Sequence, residues 1–222
     1  MTAMNPIRPS LPFFVFDLDG TLFDTGVDLA RSVNFSLHHF GLDQHPVPTI
    51  ISFIGNGSMN LIRRSSGSFD EALTSKIHSH FLEHYLEHCV IDTKPYPGVL
   101  EFLQRPFRAA LLTNKPYAPS LRILKHFGLE TRFESILCGD TAPARKPAPD
   151  GLLQILKNAS IAPAHALMVG DDPVDIHVAK AGGVPSFALR SGFGKSADLS
   201  ALHPTFIADD FGQFAKEYLP PC

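Results

Sequence analysis

Short apolar runs alternate with segments of helical periodicity along most of the chain. Five of these runs are typical of buried strands, at residues 13–16, 109–112, 136–138, 166–169 and 185–189. A weaker run at 205–208 comes before a last helical stretch at 211–218. Strands that alternate with helices form a parallel sheet, because each helix carries the chain back to begin the next strand. The pattern therefore predicts an α/β fold.

The segment from residue 26 to residue 93 interrupts this alternation. Apolar side chains recur at helical spacing from Ala30 to Phe40 and again from Phe69 to Tyr85, with no strand pattern between the two groups. The turn sequence KPYPG at 94–98 closes the segment. We therefore expect an all-helical domain at 26–93, called the cap below, inserted into an α/β core made of residues 1–25 and 94–222.

Composition and charge limit the classes of partner. The 222 residues are 44% hydrophobic and 18% charged, which favours a packed core over disorder. The formal net charge of −3 gives no basic field to attract nucleic acid or an anionic membrane. The three cysteines form no CxxC pair, and neither a signal segment nor an apolar run of membrane-spanning length is apparent. We expect a soluble cytoplasmic protein without nucleic-acid or membrane partners, and the sequence does not predict its oligomeric state.

Polar side chains follow three of the predicted strands. Asp17 and Asp19 come directly after the first strand, Thr113 and Asn114 after the second, and Asp171 after the fourth. The carboxyl ends of parallel strands meet at one edge of the sheet, where ligands of such folds bind. We therefore expect these side chains to lie close together.

The charges at this edge are unbalanced. Asp172 and Asp175 extend the acidic set, and Lys146 in ARKPAPD is the one lysine that the pattern places among them. A surplus of buried carboxylates requires positive charge, and Mg²⁺ is the divalent cation that best matches such hard oxygen ligands. A hydroxyl, an amide and a lysine beside such a metal are the groups that bind a phosphoryl group.

The order and spacing of these pieces resemble the haloacid-dehalogenase-like hydrolase superfamily over nearly the whole chain. Its four motifs correspond to Asp17-Leu18-Asp19-Gly20-Thr21, then Thr113, then Lys146, and then Gly170-Asp171-Asp172 with Asp175. The resemblance implies a doubly wound parallel sheet with strand order 5-4-1-2-3. It also implies a cap inserted after the first motif.

The resemblance further implies a two-step phosphoryl transfer. Asp17 would attack phosphorus and carry an aspartyl-phosphate, and Asp19 would protonate the leaving oxygen and then activate water. Dehalogenases of the superfamily lack an aspartate at the second position, so Asp19 favours a phosphatase or a phosphomutase.

Roles for the remaining motif residues follow from the same resemblance. Mg²⁺ would be held by Asp17, the backbone carbonyl of Asp19, and Asp171. The phosphoryl oxygens would be bound by Thr113, Asn114 and Lys146. Gly20 would leave room for the chain to turn back over the site. Relatives commonly have serine where this chain has Asp172, so Asp172 would either strengthen metal binding or face solvent, and the role of Asp175 stays open.

The cap sequence bears on the substrate. FIGNGSMNLIRR at 53–64, together with TNKP and CGDT, resembles the phosphoglycolate phosphatase branch, which hydrolyses 2-phosphoglycolate to glycolate and phosphate with Mg²⁺. We expect the loop around Asn56 and Gly57 to approach the core. Arg63 and Arg64 are candidates for a second cation that binds the substrate carboxylate, although paired arginines on a helix are more often solvated.

Other functions remain open at this point. Close relatives act on other small esters, nucleotides or pyrophosphate, a phosphomutase of the same fold would return the phosphoryl group to a sugar, and a non-catalytic anion-binding module is the least favoured reading. His80, His84 and His88 recur at i, i+4 spacing in the cap. Without an HExxH order, we interpret them as a solvated helix face rather than a metal site.

Overall fold

The computed structural model of the protein describes residues 11–194 and 196–218. The strands are β1 Phe13–Phe16, β2 Phe23–Asp24, β3 Lys94–Pro95, β4 Ala109–Leu112, β5 Ile136–Leu137, β6 Ala166–Gly170, β7 Ser186–Leu189 and β8 Phe206–Ala208. The α-helices are α1 Gly26–His39, α2 Val47–Ile51, α3 Ser58–Ser66, α4 Glu71–His88, α5 Val99–Leu103, α6 Tyr117–His126, α7 Asp150–Ala159, α8 Pro173–Ala181, α9 Ser196–Ala201 and α10 Phe211–Tyr218. A short 3₁₀ turn, Pro163–His165, comes before β6.

Six parallel strands form the main sheet, in the order β5-β4-β1-β6-β7-β8. β1 lies in the middle, and Phe14 pairs with Ala109 of β4 on one side and Leu167 of β6 on the other. Numbered by their order in the chain, these six strands read 6-5-4-1-2-3 from the far edge. The predicted order 5-4-1-2-3 is therefore confirmed, and the weak run at 205–208 adds β8 as a sixth strand at the edge.

Both faces of β1 are buried, which is why its sequence is continuously apolar. On one face Phe14 packs edge-to-face against Phe102 and Phe214, with ring centroids 5.6 and 5.9 Å apart. On the other face Val15 packs in a second cluster that includes Met168. Helices therefore cover the sheet on both sides, and the carboxyl end of β1 carries Asp17 into a site closed from water on two sides.

The segment between β2 and β3 contains only helices and loops among its residues, all of which the structure describes. β2 and β3 pair antiparallel, with Phe23 opposite Pro95, so the chain leaves and re-enters the core at one place. The division into a cap at 26–93 and a two-part core remains our proposal. None of the helices described combines the length and the apolar character needed to cross a lipid bilayer.

The sequence predicts a solvated histidine face on α4, but in the structure these histidines pack against α1. His80 Nδ1 lies 3.0 Å from Ser36 Oγ, and His84 Nδ1 lies 3.0 Å from Ser32 Oγ, so both rings bind α1. His84 also stacks on His88 with ring centroids 4.0 Å apart. The rings are half-buried because α4 packs along α1, a pairing that helical spacing alone does not reveal.

Candidate active site

A cavity of ≈ 40 Å³ lies between the carboxyl ends of the central strands and the cap. The core lines it with the polar residues Asp17, Asp19, Thr113, Asn114, Lys115, Asp171 and Asp172. The cap contributes mainly apolar side chains, together with Gly55, Gly57, Ser58 and Tyr85. The sequence-predicted polar residues of the three strand ends therefore do meet, and the space they enclose suits a ligand of a few heavy atoms.

Three carboxyl groups of the core converge on one point. One oxygen from each of Asp17, Asp171 and Asp175 lies within 4.8 Å of the others, and all three side chains are buried. Burial raises the pKa of Asp171 well above its usual value, and the charges of Asp17 and Asp175 raise it further. Asp171 was predicted at this edge and the role of Asp175 was left open, and the structure brings both residues beside Asp17.

Lys146 is the cation inside this cluster. Its Nζ lies 2.8 Å from Asp17 Oδ1 and donates a hydrogen bond of 2.6 Å to Asp175 Oδ1. Burial disfavours the charged ammonium, but Asp17 and Asp175 outweigh that effect and raise the pKa of Lys146 above its usual value. Lys146 is therefore a fixed positive charge beside the Asp17 carboxylate.

Asp171 is held by donors on both of its oxygens. Thr21 Oγ1 donates to Oδ1 at 2.6 Å, and the backbone N–H of Phe193 donates to Oδ2 at 2.7 Å. Gly20 has a φ of +85°, and a Cβ there would lie 2.2 Å from Asp171 Oδ2. The room that Gly20 leaves is therefore occupied by Asp171. The contact from Phe193 was missed, because a backbone donor leaves no signal in the residue type.

The donor set fits a divalent cation. Asp17, Asp171 and Asp175 outnumber the one lysine among them. Asp17 Oδ1 is buried and, apart from its ion pair with Lys146, has no hydrogen-bond partner among the described residues. Carboxylate oxygens with surplus negative charge are the ligands that hard divalent cations prefer. Asp175 is paired with Lys146, whereas Asp171 accepts only from the neutral Thr21 hydroxyl and backbone N–H groups among the described residues, so the negative charge of Asp171 is the less compensated of the two.

A second lysine lies at the side of the site that faces the cap. Lys115 Nζ donates to both oxygens of Asp19, at 2.9 and 3.1 Å, and to the Tyr85 hydroxyl at 2.6 Å. Thr25 Oγ1 also donates to Asp19 Oδ1, at 2.7 Å. Asp19 is therefore held by Thr25, just before the chain enters the cap, and by Lys115 from the loop after β4.

Lys115 is not among the residues that the sequence pattern predicted for this site. Lys146 is therefore not the only lysine among the acidic residues, as the pattern had indicated. The signal was present in TNK, where the lysine follows Thr113 and Asn114 at a strand end. A lysine in a loop is usually solvated, so the triplet alone did not show that its side chain turns inward and is 2% exposed.

Asn114 uses its side chain inside the protein. Its Nδ2 donates to the carbonyls of Gly55 and Lys146, both at 3.0 Å, and its Oδ1 accepts from the backbone N–H of Lys146 at 2.9 Å. Thr113 is buried at the end of β4 and lines the cavity, with Oγ1 3.3 Å from the backbone nitrogen of Lys115. The Asn114 amide therefore holds the backbone of Lys146 and contacts the cap loop at Gly55.

Asp172 caps α8 and lies outside the acidic cluster. Its side chain accepts from the backbone N–H of Val174 at 3.0 Å, and its own N–H donates to Asp175 Oδ2 at 3.1 Å, which is a capping box. A Cβ on Gly55 would lie 2.3 Å from Asp172 Oδ2, so this carboxylate also contacts the cap loop. Helix capping and loop contact are therefore two roles of Asp172 that the sequence did not indicate.

The glycine loop of the cap lies against the core. The carbonyl of Gly55 accepts from Asn114 Nδ2. Gly57 lines the cavity, and a Cβ on Gly57 would lie 3.5 Å from the Asn114 carbonyl oxygen. Asn56 is exposed, and its carbonyl accepts from Asn60 Nδ2 within the cap at 2.9 Å. The structure therefore brings Gly57 to the site and leaves the Asn56 side chain outside it.

Arg63 and Arg64 do not line the cavity. Arg63 donates to Glu71 at 2.9 Å on the surface of the cap, and the Arg64 guanidinium lies 4.4 Å from the centre of the Phe53 ring. Ser58 lines the cavity from the first turn of α3, whereas both arginines lie in its last turn. The first turn of α3 faces the site and the last turn does not, so neither arginine is placed to bind a ligand there.

Known proteins resemble this chain along most of its length. The model of the haloacid dehalogenase-like hydrolase family matches residues 14–189. Phosphoglycolate phosphatases from Thiobacillus denitrificans and Mesorhizobium japonicum are 36% and 38% identical to it. The first alignment covers 85% of this chain and 87% of the relative, and the second 94% and 95%. A solved structure from Haemophilus somnus, described as a predicted phosphoglycolate phosphatase, has a TM-score of 0.86 at 28% identity and covers 94% of this chain and 98% of its own.

Proposed function

The chain belongs to the haloacid dehalogenase-like hydrolases, and on that basis we propose that it is a Mg²⁺-dependent phosphatase that hydrolyses 2-phosphoglycolate to glycolate and phosphate. The observation that carries the proposal is that Asp17, paired with Lys146, and Asp19, paired with Lys115, both line one small cavity. Relatives named for this reaction share more than a third of their residues with this chain over most of its length.

Asp17 is the nucleophile in this proposal. Its carboxylate oxygen attacks phosphorus, the bond from phosphorus to the ester oxygen breaks, and an aspartyl-phosphate remains on the chain. Asp19 donates a proton to the departing ester oxygen, which becomes the glycolate hydroxyl. Asp19 then takes a proton from the water that attacks the aspartyl-phosphate, and inorganic phosphate leaves.

Lys146, Thr113 and the backbone N–H of Asn114 bind the phosphoryl oxygens. Lys146 is suited to this role because it lies beside Asp17 and stays charged in its buried position. Asn114 holds the backbone of Lys146 in place, so little reorganisation of this residue is needed as negative charge moves during the transfer. The cap covers the cavity with apolar side chains and keeps excess water away from the first step.

Mg²⁺ would be held by Asp17 and Asp171, with the carbonyl oxygen of Asp19 as a further ligand. The bound cation would offset the negative charge of the carboxylates and of the phosphoryl group, which otherwise repel each other. Thr21 and Phe193 keep Asp171 aimed at this position.

A phosphate-release screen tests the proposal. We expect the purified protein to release phosphate from 2-phosphoglycolate with Mg²⁺, at a higher kcat/KM than from other small esters, nucleotides, pyrophosphate and sugar phosphates. Excess chelator should abolish the release, and Mg²⁺ in excess of the chelator should restore it. Full turnover in chelator would contradict the metal assignment, preference for another substrate would contradict the substrate, and isomerisation of a sugar phosphate without phosphate release would indicate a mutase.

A further inference from the structure

The proposed substrate carries a carboxylate as well as a phosphoryl group, and the carboxylate needs a partner. An anion moved from water into a small cavity is costly unless a cation or several donors receive it. Lys146 is occupied between Asp17 and Asp175 on the phosphoryl side. Arg63 and Arg64 bind other groups of the cap.

Lys115 is the one cationic side chain among the described residues that line the cavity. It is 2% exposed, its Nζ contacts both oxygens of Asp19 and the Tyr85 hydroxyl, and it lies 4.5 Å from the centre of the Tyr85 ring. Tyr85 belongs to α4, so Lys115 stands where the core and the cap meet.

We propose that Lys115, together with the Tyr85 hydroxyl, binds the carboxylate of the substrate and selects phosphate esters in which that carboxylate is one carbon from the ester oxygen. This inference rests on the proposed function and assigns its specificity. The cap then contributes to recognition through Tyr85 and not through its arginines.

The position of Asp19 sets the length that this site accepts. Asp19 must reach the ester oxygen to protonate it, and Lys115 Nζ is 2.9 Å from Asp19 Oδ1. In 2-phosphoglycolate the carboxylate is joined to the ester oxygen through a single methylene group. A cation in hydrogen-bond contact with Asp19 is therefore within reach of that carboxylate, whereas a longer ester would carry its carboxylate past Lys115.

The hydrogen bonds around Lys115 leave room for a second anion. An ammonium group has three N–H donors, and Asp19 offers both of its oxygens to it. Release of one Asp19 oxygen frees a donor while the ion pair is kept, and Thr25 continues to hold Asp19. Tyr85 accepts from Lys115, so its own hydroxyl hydrogen is available to donate to the carboxylate. Burial also raises the pKa of Tyr85, which keeps the hydroxyl neutral and protonated.

Matched substrates separate this role from simple positioning of Asp19. We would measure kcat/KM for 2-phosphoglycolate, for 2-hydroxyethyl phosphate, which replaces the carboxylate by a neutral hydroxymethyl group, and for the ester of 3-hydroxypropanoate, which is one carbon longer. Lys115→Met should lower kcat/KM for 2-phosphoglycolate about tenfold to a hundredfold more than for 2-hydroxyethyl phosphate. Tyr85→Phe should change the same ratio in the same direction by a smaller factor.

Two further variants serve as controls. Lys125→Met makes the same change at an exposed position on α6, and Arg64→Met removes a cation of the cap; both should keep the wild-type ratio between substrates. Binding of inorganic phosphate to the Lys115 and Tyr85 variants, measured by calorimetry with Mg²⁺, reports whether the phosphoryl side is still folded.

Three results would overturn the inference. Equal losses on both two-carbon esters in Lys115→Met would show that Lys115 only positions Asp19. If Lys115→Met does not fold, Tyr85→Phe decides the question, and an unchanged substrate ratio in that variant would contradict the proposed carboxylate site. A wild type that prefers 2-phosphoglycolate while Arg64→Met loses that preference would assign carboxylate binding to Arg64 instead of Lys115. A wild type with no activity on 2-phosphoglycolate would instead contradict the proposed function.

Discussion

Asp17 and Asp19 lie two residues apart, and each is paired with its own lysine. Lys146 contacts Asp17 at 2.8 Å and Lys115 contacts Asp19 at 2.9 Å, from two different loops of the core. A buried carboxylate without a partner costs several kcal/mol, so the lysines are what allows two like charges to share one strand end. The surplus that remains lies on Asp171, whose pKa burial and its acidic neighbours raise.

Asp17→Asn should abolish turnover without unfolding the protein. An amide of the same shape cannot form an acyl phosphate, so we expect kcat to fall by more than roughly 10³-fold. The measurement is phosphate release at saturating 2-phosphoglycolate, with the urea unfolding midpoint as a check that the fold is intact. Phosphate release at the wild-type rate would exclude Asp17 as the nucleophile.

Asp28 joins the two ends of the cap at the scale of the elements. It lies in the first turn of α1, is fully buried, and pairs with Arg31. Its carboxylate accepts from the backbone N–H groups of Asp92 at 3.0 Å and of Thr93 at 2.8 Å, in the segment between α4 and β3. A further bond comes from Ile91. The chain is therefore closed on itself where it leaves and re-enters the core.

Asp28→Ala should lower the free energy of unfolding by about 3 kcal/mol, because it leaves several buried backbone donors without partners at about 1–3 kcal/mol each. Urea unfolding of the variant measures this loss. Asp43→Ala removes an exposed carboxylate of the cap and should change stability by less than about 0.5 kcal/mol. A loss in Asp28→Ala as small as that of Asp43→Ala would show that the hydrogen bonds between Asp28 and residues 91–93 do not stabilise the fold.

A column of stacked aromatic rings links α1 and α4, and its histidines make the stability of the whole molecule depend on pH. Phe35 lies between His80 and His84, with ring centroids 5.3 and 4.0 Å away, and His39 and His88 stack on the two ends at 4.2 and 4.0 Å. Burial lowers the pKa of His80 and of His84, and their histidine neighbours lower it further. Glu83 and Glu87 oppose this shift without cancelling it.

The free energy of unfolding should therefore fall as the pH drops below about 6.5, the ordinary histidine value. In that range the unfolded chain binds protons at His80 and His84 that the folded chain does not, so acid favours unfolding. Urea titrations at several pH values measure the slope. The double variant His80→Gln/His84→Gln should have a flatter profile, and His165→Gln, at an exposed position, should keep the wild-type slope. Equal slopes in all three proteins would contradict the role of the column.

The sequence by itself determined the six strands of the main sheet, their order along the chain and the residues at their ends, but not the two-residue strands β2 and β3. β1, β4 and the predicted helix at 211–218 have the bounds that the apolar pattern indicated, because periodicity and burial are local properties. The motif residues Asp17, Thr113 and Asp171 could be placed together because parallel strands end at one edge. Family resemblance added roles for these residues, and those roles stay predictions.

Only the tertiary structure decided which charges meet. Lys115 and Asp19 are 96 residues apart in the chain, and Lys146 and Asp175 are 29 apart, so no local pattern could pair them. Arg64 illustrates the converse, since the docking of α3 places its first turn at the cavity and its last turn elsewhere. A side chain's direction depends on the neighbours that its element packs against, and that packing is set by contacts between segments far apart in sequence.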